Sequence, residues 1–346
     1  MLPRYCARRT RTSSSNRISS IRVKSTITGD SGRTYTDGEV LRRHPEDKRF
    51  DIYKAKSAGK SFVYKRVPRP FFDLSQRMAG DFHSPRRLRM HVDCSSKESI
   101  LVYAYFRDTL LALLSDDPAF PANERLRIMR GVGEAIQELH RKDWVHTGLS
   151  FPPINPDNIL VYWTSDVEGK KVVTNVALGD FDIACKLMEG ETRHTPHAVG
   201  NAMWRSPEGQ TGISTMASDI YSLGLVYIYA LGGADLLILN DYQSLAKAGV
   251  TPEQEVLTRH FCYFGPVPGS LYQQIKDEKW RHALQLASSM AEAEVKERPM
   301  LRLRAWGQEL GESALDLLSA MTNIDPKGRL TIDQVLAHPY WQECES

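Results

Sequence analysis

The sequence predicts an α+β protein of two unequal lobes, a small strand-rich one followed by a larger helical one. Two observations carry that prediction. Strand-like alternation runs from about Tyr35 to Val67, with Phe50-Asp51-Ile52-Tyr53 and Ser61-Phe62-Val63-Tyr64 placed around a turn at Ala58-Gly59-Lys60. Beyond it, apolar residues recur at helical spacing: from Arg125 to His140, Leu126, Met129, Val132, Ile136 and Leu139 share one face. A length of 346 residues, 41% hydrophobic and 25% charged, suits a chain that buries a core.

Residues 1–34 read as a basic tail. Arg4, Arg8, Arg9, Arg11, Arg17 and Arg22 all precede the first carboxylate, Asp30, and the Ser13-Ser14-Ser15 run lies among them. So few apolar residues cannot offset ordering entropy, which predicts disorder. The same acid-poor composition is that of a mitochondrial transit peptide, the second reading of this segment. The folded domain is expected over residues 35–341, with an N-lobe over about 35–106, a C-lobe over about 107–341 and a short tail at 342–346.

Within the domain, Leu88 to Val92 and Ile100 to Phe106 read as two further strands. Ile159 to Trp163 and Val172 to Leu178 form a second hairpin around Asp166 to Gly169. The apolar run Leu223 to Leu231 is too short to span a membrane and contains Tyr227 and Tyr229, so it reads as a core helix. Thr331 with Gln334 forms a capping box ahead of Ile332, Val335 and Leu336.

Several function classes drop out. A formal net charge of +3 gives no reason to expect nucleic-acid binding, and no run of apolar residues predicts a membrane partner. The five cysteines are scattered, with no C-x-x-C pair, which argues for a reducing, intracellular compartment, cytoplasmic or nuclear. Gly59-Lys60-Ser61 resembles the end of a phosphate-binding P-loop, but Lys54 stands where its first glycine is required. Gly131-Val132-Gly133 lies inside an amphipathic helix and reads as close helix packing.

Eight strings occur in a telling order. Ile52-Tyr53-Lys54-Ala55 and Phe62-Val63-Tyr64-Lys65 come first. Leu139-His140 to Val145-His146 follows, then Pro156-Asp157-Asn158-Ile159-Leu160 and Leu178-Gly179-Asp180-Phe181-Asp182. Trp204-Arg205-Ser206-Pro207-Glu208, Ser218-Asp219-Ile220-Tyr221 and Asp325-Pro326 to Arg329 close the series. In order, spacing and residue type the chain resembles a protein kinase, most nearly fungal Ser/Thr kinase-like proteins. The resemblance implies a bilobal kinase-like fold that takes ATP and Mg²⁺. It assigns Lys65 to the phosphates, with Ile52, Val63, Tyr105 and Leu160 lining the nucleotide site. It assigns Asp180 and Asn158 to the metal, since a carboxylate and an amide oxygen suit a hard cation. His146, Glu208, Asp219 and Arg329 become structural, with Asp219 holding loop amides and Arg329 pairing with Glu208.

The pattern then breaks. The catalytic-loop aspartate falls on Gly148 when counted forward from His146 and on Pro153 when counted back from Asn158. Neither has a carboxylate, and Asp157 would need a rebuilt loop to substitute. The stretch from Gly148 to Pro153 is either an insertion or a misassembled gene junction. Thr147 replaces the arginine that anchors a phosphorylated activation segment. The three glycines of the phosphate loop fall on Pro45, Asp47 and Phe50, of which proline donates no amide and aspartate repels phosphate. Neither Asp73 nor Gln76 is a good helix partner for Lys65, and Asp182 replaces a glycine.

General acid–base assistance is worth roughly 10²–10⁴-fold, so losing the base alone leaves slow transfer from a kinase turnover of about 1–100 s⁻¹. The reading is therefore a catalytically impaired kinase-like domain with a weak ATP/Mg²⁺ site, acting on or through a protein partner. The alternative is an active Ser/Thr kinase with Thr192 and Thr195 as phosphosites.

Overall fold

The structure, a computed structural model, describes residues 22–23, 26–146, 154–188, 190–195, 202–233 and 249–345, together with residues 239, 245 and 247. The chain divides into two compact units, one ending at Arg107 and the other running from Asp108.

The first unit is built on an antiparallel sheet. Its strands are β1 (Arg22–Val23), β2 (Ile27–Thr28), β3 (Thr34–Arg42), β4 (Ile52–Ser57), β5 (Lys60–Arg66), β6 (Asp93–Ser95) and β7 (Ile100–Ala104). Their order is β1-β3-β4-β5-β7-β6, with β2 on β3. The β4–β5 turn explains why Gly59-Lys60-Ser61 is no P-loop. Ala58 and Gly59 both have positive φ, 46° and 75°, the two-residue geometry that matches strand twist. The pleat then sorts the side chains. Ala55, Phe62, Tyr64, Ile100 and Val102 cluster with Ile27 and Tyr35. The opposite face carries Ile52, Val63 and Lys65, in register with Leu101 and Tyr103. Helix α1 (Arg69–Asp81) buries Phe72 against Val67, Leu101 and Tyr103.

Three expectations change here. The fold starts before residue 35: Ile27 is buried and pairs with Tyr35. What orders this stretch is polar. Ser31 Oγ and Tyr35 Oη donate to Asp93 at 2.5 and 2.9 Å, and Ser96 Oγ donates to Asp30 at 2.5 Å. Residues 1–21 and 24–25 of the expected tail lie outside the described residues. The strand placed at Leu88 to Val92 lies instead at Asp93–Ser95, where Asp93 supplies that anchor. Phe50 and Asp51 leave the strand too. Lys48–Phe50 is a 3-10 turn capped by Asp47, and the buried Asp51 accepts the His44 N–H at 2.8 Å.

The second unit is mainly helical. It opens with β8 (Asp108–Thr109), α2 (Leu110–Asp116) and α3 (Ala122–His140). Then come β9 (Trp144–Val145), the hairpin β10 (Ile159–Ser165) and β11 (Lys171–Leu178), and the short strands β12 (Cys185–Lys186), β13 (Arg193–His194) and β14 (Ile213–Ser214). Helix α4 (Pro207–Gln210) precedes β14 and α5 (Met216–Ala230) follows it. Helix α5 is buried all round from Ser218 to Ala230, as its apolar run requires. The expected close packing of Gly133 is present. A Cβ there would come within 2.9 Å of both Tyr227 Oη and Leu336 Cδ2. Helices Pro252–Phe264, Glu278–Glu297, Glu312–Met321 and Ile332–Leu336 complete the unit, the last with the capping box at Thr331 and Gln334.

Candidate functional site

The hairpin β10–β11 places the metal candidates. Its ladder pairs Ile159 with Leu178 and runs one step further, the Gly179 N–H donating to the Asn158 carbonyl at 2.9 Å. Asn158 and Asp180 thereby come from neighbouring chain segments at one end of a rigid hairpin. Gly179 is gripped from its other side as well, because its carbonyl accepts a hydrogen bond from His146 Nε2 at 3.1 Å. That bond makes Nε2 the protonated nitrogen of a buried imidazole, and Nδ1 has no hydrogen-bond partner. The His146 ring also meets the Phe181 ring edge-on at 5.5 Å.

The residue held by this clamp is strained. Asp180 sits at φ +64°, a left-handed conformation that costs a non-glycine residue about 1–3 kcal/mol and clusters at ligand-binding positions. Asn158 is buried, and its side-chain Nδ2 makes no hydrogen bond. A carboxylate on a fixed backbone and an amide oxygen from the neighbouring segment are the donor types that fit a hard, oxygen-seeking cation such as Mg²⁺.

Beneath the pair lies a frame of buried charge. Asp219, at the start of α5, accepts the His146 N–H at 2.9 Å and lies 3.0 Å from His140 Nε2. Glu208 and Arg329 form a fork-to-fork pair at 2.6 and 2.8 Å, both side chains almost fully buried. Burial pushes the Glu208 carboxyl up, but the Arg329 guanidinium, together with hydrogen bonds from Ser206 and the backbone, holds it below its ordinary value. Ser218 Oγ donates to Glu208 Oε1, and Arg329 also donates to the carbonyls of Asn323 and Ala217 and lies over the Tyr221 ring.

The other candidates fall into two groups. Ile52, Val63 and Lys65 share one face of the strand unit's sheet, Ile52 directly opposite Lys65. Tyr105 follows β7, with Lys54 Nζ 4.0 Å over its ring. Leu160 belongs to the helical unit, on β10 opposite Ala177 and Thr109. Gly148 and Pro153, the two positions counted for the missing aspartate, lie outside the described residues, as does Thr147. Asp157 is occupied elsewhere, its Oδ1 accepting from Thr109 Oγ1 at 3.2 Å. On α1 the buried residues are Phe72 and Met78, while Asp73 is exposed and paired with Arg69. Pro45 and Asp47 lie in an exposed loop, and Arg49 holds the Asp47 carboxyl down at about 2.

Sequence reasoning missed two residues. Tyr103 stands opposite Val63, its ring 5.9 Å from Lys65 Nζ; the period of two in β7 would have found it. His140 closes α3 and reaches Asp219; its place six residues before His146 was a usable signal.

Comparison with known proteins bears on the family and the fold. The protein kinase domain family matches residues 82–341. The Schizosaccharomyces pombe sensor for unfolded proteins in the ER, ire1, is 22% identical over 84% of this chain and 25% of its own length. Human serine/threonine-protein kinase MAK is 24% identical over 84% of this chain and 42% of its own length. Bacillus subtilis serine/threonine-protein kinase PrkC is 34% identical over 35% of this chain and 16% of its own length. The chain thus spans less than half the length of these relatives. Among solved structures, the yeast RNA Pol II CTD kinase CTDK-1 complex has a chain that superposes with a TM-score of 0.64 at 14% identity, covering 84% of this chain and 89% of its own. With the fold shared and the family matched over about three quarters of its residues, this chain belongs to the protein kinase domain family.

Proposed function

We propose that this chain is a catalytically impaired kinase domain that binds ATP and Mg²⁺ weakly and serves as a binding or scaffold module for a protein partner. One observation carries the reading. The catalytic aspartate's position is Gly148 or Pro153, and the first carboxylate that follows them in sequence, Asp157, is engaged by Thr109. When bound, Mg²⁺ would offset the negative charge of the phosphates. Asn158 and Asp180 would hold it, and Lys65 would hold the phosphates. The loop from Arg43 to Asp51 adds no glycine amides to this grip. The buried face of α1 presents Phe72 and Met78 rather than a carboxylate. Such losses do not simply add, but each works against phosphoryl transfer.

A second reading is an active Ser/Thr kinase. The kinase relatives favour it, and so does the clamp that holds Asp180 in its strained conformation. On this reading Thr192 is exposed for modification, whereas the Thr195 hydroxyl is donated to the Gly212 carbonyl.

The test is a γ-phosphate transfer assay on the purified chain with Mg²⁺ and a generic basic protein substrate, run beside calorimetric titration with Mg·ATP. Impairment predicts weak binding that Lys65→Ala and Asp180→Ala each reduce, with transfer at least about 10²-fold below the usual kinase range. Transfer within that range, abolished by both substitutions, would establish the active kinase instead.

A further inference from the structure

The helix Glu278–Glu297 carries two apolar stripes and buries one of them. Leu284, Ala287 and Ala291 are buried, and the Ala291 carbonyl accepts from Cys262 Sγ of the helix Pro252–Phe264 at 3.8 Å. About 100° round the axis, one residue's turn away, Ala283, Leu286, Met290 and Ala293 line up as a second stripe. Leu286 and Met290 are 48% and 49% exposed, and Ala293 is exposed beside them. A single exposed apolar residue needs no explanation. These four recur at spacings of three, four and three, which is the seam along which two helices pack.

Charge closes the stripe at both ends. Lys279 stands four residues before Ala283 and Glu297 four residues after Ala293, so the spacing runs on through both. Both are exposed, and neither forms an ion pair among the described residues. The stripe is its own mirror image about the level of Ser288. Lys279 mirrors Glu297, Ala283 mirrors Ala293, and Leu286 mirrors Met290. Two copies of this helix laid antiparallel therefore meet with Leu286 against Met290 and Ala283 against Ala293, and Lys279 faces Glu297 at each end. A parallel pairing would set like charges side by side.

We propose that this helix face joins two copies of the chain in an antiparallel, two-fold pair, the same patch serving on both sides. A foreign helix has no reason to match a pattern that complements itself. A membrane surface fits less well, because the exposed flanks carry Glu292 and Glu297 as well as Lys279 and Lys296, not the basic polar face that anionic lipid selects. The seam rises about 27 Å along the helix and is one helix wide. That falls short of the roughly 800 Å² per partner of a standard interface, so the dimer is expected to be weak, with a Kd on the order of 10–100 μM.

The experiment is sedimentation equilibrium of the full chain at low salt, over a concentration series that brackets this Kd. The chain should pass from monomer to dimer and no further, as a closed two-fold pair requires. Leu286→Glu/Met290→Glu should abolish dimerisation with unchanged circular dichroism. Lys279→Glu alone and Glu297→Lys alone should each weaken it roughly tenfold, since either change turns both end pairs into like charges. Mixing these two single variants should restore the affinity of the unaltered chain, because each reversed charge then meets its opposite in the partner. The proposal is overturned by a monomer at every concentration, by a dimer that survives Leu286→Glu/Met290→Glu, or by a mixture that associates no better than its components.

Discussion

The two units have kept different things. The helical unit retains a connected frame of buried polar groups: His146 on Gly179 and Asp219, Glu208 on Arg329, and Asn158 beside Asp180. The strand unit retains the sheet and Lys65, while a proline- and aspartate-containing loop stands between β3 and β4 and an apolar face of α1 turns inward. The difference follows from what each set of residues does for folding. A buried ion pair or a clamped carbonyl must be maintained for the core to close, whether or not phosphate is transferred. The strand unit closes its core with no glycine in the loop from Arg43 to Asp51 and with Phe72 and Met78 on the buried side of α1.

The strongest way to break this comparison is to delete one charge in each unit. Arg329→Ala leaves Glu208 buried without its counter-ion, held only by neutral donors such as Ser218. Removing one partner of a buried pair costs about 3–5 kcal/mol, a large share of any domain's stability. Arg66→Ala removes the partner of Glu98 on the surface of the strand unit, both side chains more than a third exposed, where such pairs are worth about 0–1 kcal/mol. Urea unfolding of both variants should show the midpoint collapse for the first and barely move for the second. Equal losses would mean that the helical frame is no more demanding than surface charge.

Most of the helical unit was legible in the sequence because its signals are local. The apolar run that becomes α5 and the capping box at Thr331 each lie within a few residues, and the strings that hold Asn158, Asp180, Glu208 and Asp219 are each only a few residues long. The strand unit was read less well. Ile27 is ordered by Ser31, Asp93 and Tyr35, a polar contact spanning about sixty residues that no composition window can see. The same contact moved a strand from Leu88 to Asp93. The spacing from His146 to Asn158 announced an altered loop, but spacing alone could not say that Asp157 is bonded to Thr109.

A smaller effect comes from buried histidine. On the helix Pro252–Phe264, His260 lies fully inside, its ring 5.7 Å from Tyr221 and 5.9 Å from Phe264. Burial drives its imidazole down to about 3, a contact with the Met203 backbone only partly opposing this. The unfolded chain takes up the proton near pH 6.5 and the folded chain does not. Stability is therefore full above that pH and falls by roughly 1.4 kcal/mol per unit as pH drops toward 3. Between pH 6.5 and 5 the helical unit should lose about 2 kcal/mol. His260→Phe should flatten that slope by nearly one proton in urea titrations at a series of pH values. In the strand unit, His91 is shifted the same way by burial but opposed by Asp93, so His91→Phe should flatten the slope less. A slope unchanged by His260→Phe would show that this histidine charges without cost.

The smallest effect concerns caps. Thr331 accepts the Gln334 N–H and Gln334 returns a bond to the Thr331 N–H, closing the helix that packs Leu336 against Gly133. In the strand unit Asp47 plays the same part for the Lys48–Phe50 turn, accepting the Arg49 N–H at 2.9 Å. The local chemistry is alike, but the Thr331 cap secures a helix that packs on the core, whereas the Asp47 turn stands in solvent. Thr331→Ala should cost about 1 kcal/mol, read as a lowered urea midpoint with an unchanged slope. Asp47→Ala should leave the midpoint where it is. A midpoint shift for Asp47→Ala as large as that for Thr331→Ala would place the β3–β4 loop inside the cooperative core and erase the distinction between the two units.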